Sequence, residues 1–436
     1  MNFRFYLNVR DWIDSSRRRH RSGLVTPKLL VIVVSGCMAW GAPHPGFSLG
    51  AEIGDPRAAV IIGDGDPADD PEMDIVRCSR TLLEVQREDK GTHGEWAVHI
   101  STDGGRSWNE TYTQPCVTGH DVVDLSCAVI EHFFYVAYTT DSNPGQARVR
   151  RFSTSDGTVD STYGSQIVLD SPHDVKELVL VSSETGGLEG RLWLTAIDDY
   201  GTVHLFSTDW EGGSGSLPWQ GTATFINNAS FGLDATYAER NTGIELYIVY
   251  VAFSGNVWVS RWGTGDEVLI GVLDTFDNTG PRISAYGESV MVVFEDDHDG
   301  WDGTHVEYRL SDDGFDTWYP AGIVAEADTD VMVGATDVTL RKGRGGVIVW
   351  GRDAWLDDGV FERGLFAGSN TAWTTIHEAG STDPEVVTSM RIEPMFDGGW
   401  GILRAVGDSS QVEFELSPLL LFDGFELGNT DQWWVE

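Results

Sequence analysis

The feature that most constrains the fold of this chain is an apolar, strand-like segment that recurs seven times. Each copy ends in polar or acidic residues, and the starts of successive copies lie about 53 residues apart, a period that decides between fold classes before any single motif does. The copies occupy residues 82–85, 133–138, 192–199, 246–251, 290–297, 347–353 and 400–404.

A period near 50 residues predicts one four-stranded blade of a β-propeller per copy. The content of 51 Gly in 436 residues agrees with many turns and few helices. We therefore predict an all-β fold, a β-propeller with seven four-stranded blades, and six blades are the alternative if the second or third copy is irregular. The seventh copy supplies only three strands, so residues 58–62 are predicted to close it as the fourth and to cover a free sheet edge.

A second pattern follows the first and fifth copies. Residues 101–108 read Ser-Thr-Asp-Gly-Gly-Arg-Ser-Trp and residues 311–318 read Ser-Asp-Asp-Gly-Phe-Asp-Thr-Trp. We assign both segments to the pattern Ser-x-Asp-x-Gly-x-(Ser/Thr)-Trp. This assignment places the glycine of the pattern at position 105 in the first segment and at position 315 in the second. This pattern resembles the Asp-box, or BNR repeat, of the sialidase-like β-propellers. The assigned box residues are Ser101, Asp103, Gly105, Trp108, Ser311, Asp313 and Trp318.

The residues of the box have structural roles. A short carboxylate in a turn accepts backbone N–H groups, Gly takes positive φ, and Trp buries a large ring. The resemblance implies that the box lies on the outer hairpin of a blade, away from the central pocket. It therefore predicts architecture and says nothing direct about a substrate.

The N-terminal segment has the layout of a secretory signal. Basic residues at 17–21 and 28 precede an uncharged apolar run at 29–40, which is shorter than the roughly 20 residues of a membrane span. Residues 34–37 resemble a bacterial lipobox, which would make Cys37 the lipidated first residue; ordinary cleavage near residues 48–51 is the alternative. We predict an exported bacterial protein, periplasmic, cell-surface or extracellular, that touches a membrane only through a lipid anchor at Cys37.

The predicted domain organisation has four parts: a signal peptide at 1–36, a linker at 37–57, the propeller at 58–418 and a tail at 419–436. The tail is acidic and aromatic and resembles a short C-terminal ending found on exported bacterial proteins. Two interpretations of the tail stay open: a segment that a secretion partner recognises, or a segment that packs on the propeller rim.

The formal net charge of −39 excludes one class of function. The chain holds 29 Lys and Arg against 68 Asp and Glu, so it has no basic footprint for nucleic acid. Among the remaining cysteines, Cys78 and Cys127 are the favoured pair for a disulfide, with buried thiols as the alternative, and Cys116 is left over.

The resemblance also implies what a catalytic site would need. A sialidase uses cationic groups to bind the substrate carboxylate, a Tyr nucleophile activated by Glu, and an Asp acid. The candidates are Tyr237 with Glu239 and four arginines on the first strands of blades: Arg77, Arg282, Arg341 and Arg391. The family's Phe/Tyr-Arg-Ile-Pro motif is absent, and arginines paired with neighbouring acids are the alternative.

Two acidic clusters raise the question of a calcium cofactor, and no other cofactor is indicated. Neither cluster has the spacing of an EF-hand, so solvated loops are the alternative. The clusters are Asp64, Asp66, Asp69, Asp70 and Asp74, and Asp296, Asp297, Asp299 and Asp302 beside His298.

The function predicted from the sequence is a binding or interaction module for glycans or protein partners. A sialidase-like glycoside hydrolase is the first alternative, and a structural protein of the envelope is the second.

Overall fold

The computed structural model describes residues 59–64, 72–89, 94–183, 190–209, 217–240, 243–273, 280–296, 305–326, 332–341, 345–353, 359–365, 377–378, 387–395, 399–406 and 411–417. The predicted signal segment with Cys37 and the predicted tail lie outside these ranges. Within them, no helix is long and apolar enough to cross a membrane.

The described part of the chain forms seven four-stranded antiparallel sheets and no helix. Each sheet is one blade, and the strands of blades 1 to 6 follow one another in chain order. Blade 1 contains β2 (Met73–Cys78), β3 (Thr81–Asp89), β4 (Gly94–Ser101) and β5 (Asn109–Pro115); blade 2 contains β6 (Val122–Ile130), β7 (Phe133–Thr140), β8 (Gln146–Ser153) and β9 (Ser165–Asp170); blade 3 contains β10 (Val175–Ser182), β11 (Arg191–Asp198), β12 (Val203–Asp209) and β13 (Gln220–Ile226).

The remaining blades follow the same plan until the chain closes on itself. Blade 4 contains β14 (Ala229–Arg240), β15 (Gly243–Ala252), β16 (Asn256–Arg261) and β17 (Asp266–Val272); blade 5 contains β18 (Arg282–Tyr286), β19 (Ser289–Asp296), β20 (His305–Ser311) and β21 (Gly322–Glu326); blade 6 contains β22 (Met332–Arg341), β23 (Gly345–Asp353), β24 (Gly359–Leu365) and β25 (His377–Glu378); blade 7 contains β26 (Val387–Pro394), β27 (Trp400–Val406), β28 (Gln411–Leu416) and β1 (Val60–Asp64).

The seven recurring segments of the sequence are the second strands of the seven blades, so the seven-bladed fold is confirmed. The closing strand is confirmed too. Strand β1 pairs antiparallel with β28, where Val60 lies opposite Phe414. The outer edge of blade 7 is therefore covered by a strand from the other end of the domain, which removes an edge that would otherwise accept a foreign strand.

A hydrophobic cluster fills each of the seven interfaces between neighbouring blades. Both faces of a blade are covered, so its two central strands are buried on both sides. Strand β27 is buried at every position, as expected for a strand between two packed layers. The apolar runs of the sequence arise from this double burial.

The two segments assigned to the Asp-box lie between the third and fourth strands of blades 1 and 5. Asp103 accepts hydrogen bonds from the backbone N–H groups of Arg106 and Ser107, both at 3.0 Å. Asp313 accepts the N–H of Thr317 at 2.8 Å. Both aspartates thus hold outer turns together, remote from the propeller axis.

The assignment of a glycine to position 315 is wrong, because the residue there is Phe315. Its φ of 98° is close to the 88° of Gly105, and both N–H groups donate to the first serine of their segment. A Cβ on Gly105 would lie 2.1 Å from the Phe414 ring, which demands glycine there. The Phe315 ring instead packs beside Trp318 and Tyr247, and this burial offsets a strained backbone.

Replacing Asp103 with alanine is expected to lower the free energy of unfolding by about 1–3 kcal/mol, because two turn N–H groups lose their acceptor. Urea unfolding measures the loss in this variant and, for comparison, in Asp103→Asn. The asparagine should retain part of the stabilisation, because its side-chain oxygen still accepts hydrogen bonds. Ligand binding by the folded variant should be unchanged. A stable variant that lost binding would contradict the structural role of this turn.

Candidate functional site

A cavity of about 450 Å³ lies on the propeller axis and is lined by the first strand of every blade. Because one strand from each blade meets there, side chains far apart in sequence share one small volume. The ionisable carboxyl groups in its lining outnumber the arginines by seven to two. They are Glu72, Asp74, Asp124, Glu177, Asp234, Asp337 and Glu393, facing Arg282 and Arg391.

Four of these aspartates make the same pair of hydrogen bonds. The Oδ1 atom accepts the N–H of the following residue, and Oδ2 accepts an N–H from the first strand of the next blade. The bonds between blades run from Cys127 to Asp74 at 2.7 Å, from Leu178 to Asp124, from Ile283 to Asp234 at 2.9 Å, and from Ile392 to Asp337 at 2.8 Å.

Three other side chains complete a ring of contacts between the blades. Glu177 accepts the N–H groups of Gly232 and Leu233 at 3.0 and 2.6 Å. Ser284 accepts the N–H of Leu340 at 2.9 Å. Arg77 donates to the carbonyl of Pro394 and joins blade 1 to blade 7. Much of the acidic lining therefore has a structural role.

Burial shifts the ionisation of these carboxyls. Desolvation raises the pKa of Glu177 to about 7, against the opposing hydrogen bonds from Leu233 and Gly232. It raises the pKa of Asp337 to about 6, although the Arg391 guanidinium favours the charged form. Desolvation and the nearby Glu72 raise the pKa of Asp124 well above its ordinary value. The cavity thus takes up protons as the pH falls toward 6.

The two arginines of the cavity differ in their contacts. Arg391 donates to the carbonyl of Met390 at 2.8 Å and lies 4.0 Å from Asp74. The Nε atom of Arg282 is buried and has no hydrogen-bond partner. The Oγ1 atom of Thr336, on the neighbouring strand β22, is also buried and without a partner. Two adjacent blades therefore present unused polar groups in one cavity.

Of the other four catalytic candidates, Tyr237 also lines the cavity, whereas Arg77, Arg341 and Glu239 are not in its lining. Arg77 donates a hydrogen bond across the junction of blades 1 and 7. Arg341 is the last residue of β22 and lies opposite Gly345 in the strand register. Tyr237 lines the cavity and stacks on Trp193 at 6.3 Å. Glu239 is exposed and is not part of the lining. Of the six residues proposed from sequence, the cavity brings together Arg282, Arg391 and Tyr237.

Most residues of the acidic lining are not among the site residues predicted from the sequence. One signal could have found it, since Asp74, Asp124, Glu177, Asp234 and Asp337 stand near the middle or start of first strands, in step with the blade period. Asp74, a member of the first predicted calcium cluster, lies in this cavity. The side chains of the other residues in the two predicted calcium clusters fall outside the described part of the structure.

The predicted bridge between Cys78 and Cys127 is wrong. Cys127 is a buried thiol, and the Sγ atom of Cys78 lies 3.4 Å from the carbonyl oxygen of Glu131. Burial raises the pKa of the Cys127 thiol well above its ordinary value, as expected for an unreactive structural cysteine.

Fold and cavity together define the class of protein, a seven-bladed β-propeller with an acidic cavity on its axis. No protein-family model matches the chain, and no curated protein matches it in sequence. Among solved structures, it is similar to AofleA from Arthrobotrys oligospora, at 13% identity and a TM-score of 0.44, over 74% of this chain and 90% of that one.

It is also similar to a point mutant of the NanB sialidase from Streptococcus pneumoniae, at 9% identity and a TM-score of 0.45, over 83% of this chain and 71% of that one. A third similar structure is the GH93 alpha-L-arabinofuranosidase of Fusarium graminearum, at 12% identity and a TM-score of 0.45, over 83% of this chain and 98% of that one. These likenesses are too distant to carry an argument about ligand or activity.

Proposed function

We propose that this protein is a glycan-binding β-propeller that holds a hydroxyl-rich neutral or amino sugar in the axial cavity. The observation that carries the proposal is the pair of unpartnered groups, the Arg282 Nε–H and the Thr336 hydroxyl, buried on adjacent strands. Buried polar groups without partners are rare, and ligand oxygens that accept from them would satisfy them.

The charge of the lining selects the ligand class. With seven carboxyls against two arginines, an acidic sugar would meet repulsion from most directions, whereas sugar hydroxyls donate readily to carboxylate oxygens. A cavity of about 450 Å³ matches the size of small-molecule sites. A neutral or amino sugar fits both the charge and the volume.

Glycoside hydrolysis is the second candidate, favoured by carboxyls of raised pKa beside Tyr237 and Arg282 in one cavity. The carboxyls of highest pKa, however, accept backbone N–H groups from neighbouring blades. Their positions are explained by structure without any role in chemistry. Binding without turnover is therefore the function we favour.

The experiment is a glycan array probed with the purified protein, carrying neutral, amino and sialylated glycans. We expect retention on neutral or amino glycans, and a loss of about tenfold or more for Arg282→Ala, since hydrogen bonds from a charged group contribute about 1.5–3 kcal/mol. Arg191→Ala, which removes an exposed arginine paired with Asp209, is the matched control and should bind normally. Preference for sialylated glycans, or full binding by Arg282→Ala, would refute the proposal.

The same preparations are assayed with a fluorogenic sialoside, and we expect no turnover. Hydrolysis that disappeared in Arg282→Ala or Arg391→Ala, with the fold intact, would favour the hydrolase instead.

We also propose that the protein is an exported member of the sialidase-like, Asp-box propellers. The turns of Asp103 and Asp313 support the family assignment, and the basic and apolar N-terminal segment supports export. The intact mass of protein from the native host tests export, because an uncleaved Met1 start would contradict it. A diacylglyceryl mass on Cys37 would identify the lipoprotein form.

A further inference from the structure

A row of polar side chains is buried on the face of blade 1 that packs against blade 7. In strand β3, Leu83 and Val85 point toward blade 2, so Glu84, Gln86 and Glu88 take the opposite face. His99 of β4 lies beside Glu84 on that face. All four are at most 3% exposed, although the rest of this interface is apolar.

Burying these polar side chains costs free energy. Glu84 pairs with His99, and its Oε1 atom has no hydrogen-bond partner; the Oε1 atom of Gln86 also lacks one. Removing a carboxylate from water costs several kcal/mol unless it is compensated. Within the described residues, His99 is the one ion-pair partner of Glu84. The cluster thus buries two carboxyl groups, those of Glu84 and Glu88, beside one histidine.

Two members of this row, Glu88 and His99, lie close to Glu110 of the neighbouring strand β5. One donor atom each from Glu88, His99 and Glu110 lie within 4.8 Å of one another. The Nδ1 atom of His99 lies 2.8 Å from Glu84, so with Nδ1–H donating to that carboxylate, Nε2 keeps its lone pair for a ligand. A carboxylate that orients a histidine in this way is characteristic of metal sites.

The other two donors are oriented as well. Gln86 donates from Nε2 to Glu88 at 2.9 Å, and Thr113 donates from Oγ1 to Glu110 at 2.7 Å. A bond of about 2.0–2.1 Å to each donor needs them roughly 3.3 Å apart, so the three donors, now within 4.8 Å of one another, close in slightly around the ion, and the exposed Glu110 side chain is the one with room to move. Its exposure also opens the site to solvent, where a water can complete the coordination.

We propose that Glu88, His99 and Glu110 form a binding site for a divalent transition-metal ion, with Glu84 and Gln86 as positioning residues. One imidazole nitrogen with two carboxylates suits Zn²⁺ or a neighbouring first-row ion better than Ca²⁺, which prefers oxygen ligands throughout. The bound ion would link β3, β4 and β5 of blade 1 beside the interface where the propeller closes. This site is separate from the axial cavity and independent of the glycan proposal.

The test is a titration of the full chain, freed of metal by a chelator, with Zn²⁺ in millimolar Mg²⁺. The excess Mg²⁺ occupies acidic surface groups that bind hard cations. We expect one equivalent of tightly bound Zn²⁺ and a rise in Tm of several degrees at saturation, because a ligand of the native state stabilises it.

Glu110→Gln is the decisive variant, because the residue is exposed and its replacement leaves the core intact. We expect at least about tenfold weaker Zn²⁺ binding and an unchanged Tm without metal. Glu131→Gln, at an exposed glutamate of blade 2, is the control and should bind as the parent does. Binding of well under one equivalent by the parent, or unchanged affinity in Glu110→Gln, would overturn the proposal.

Discussion

The free energy of unfolding is expected to fall by several kcal/mol between about pH 5 and about pH 8. The cause is the axial cavity, where burial raises the pKa of Glu177 to about 7 and of Asp337 to about 6. At about 1.4 kcal/mol per pKa unit, each group contributes roughly 3 kcal/mol at full effect.

The direction follows from proton linkage. A carboxyl whose pKa is higher in the folded than in the unfolded state binds its proton more tightly when folded. Its stabilising contribution is complete below the unfolded pKa, near 4, and is lost as the pH rises through 6 and 7. Asp160 acts oppositely, because hydrogen bonds from Thr162 and Arg151 outweigh partial burial and lower its pKa to about 2. Stability should therefore be highest near pH 4 and should already be falling at pH 5.

Urea unfolding across this pH range measures the effect. The double variant Glu177→Gln with Asp337→Asn should flatten the profile, since neither amide titrates. Glu131→Gln, with an exposed glutamate outside the cavity, should keep the parent profile. A parent protein equally stable at pH 5 and 8 would show that the cavity carboxyls remain ionised in the fold.

Replacing Arg151 with alanine is expected to destabilise blade 2 by about 3–5 kcal/mol, the range for breaking a buried ion pair. Arg151 is fully buried, and its Nε and Nη2 atoms donate to Asp160 at 3.0 and 2.6 Å. Its guanidinium also stacks 4.1 Å from the centre of the Phe133 ring. The alanine variant leaves Asp160 without its cation and opens a cavity beneath the ring.

Arg148→Ala on the same strand is the matched control, because Arg148 is half-buried and donates to Gln146. We expect a change of about 0.5 kcal/mol or less, as for surface substitutions generally. Thermal unfolding compares the two variants, and glycan binding should survive in both at temperatures where they are folded. Equal stability of the two variants would rule out a structural role for the Arg151 pair.

The recurring segments predicted the blades because the second strand of a blade is buried on both faces and is therefore mainly apolar. The same reasoning found the closing strand, since a three-stranded last blade leaves an edge to be covered. The arginine candidates were harder to judge. Arg77 and Arg282 occupy first strands alike, yet one bonds to a neighbouring blade and the other faces the cavity.

The local sequence thus determined the number of blades, the outer turns and the joining of the two ends, because each depends on alternation and turn chemistry within about 50 residues. Only the tertiary structure decided which polar groups meet. Glu84 and Gln86 alternate with Leu83 and Val85 as they would on a solvated strand, and Glu88 continues the row, but blade 7 covers them. Likewise, Asp74, Asp124 and Asp337 converge on one axis only when the ring closes, because contacts between blades depend on packing that no single repeat encodes.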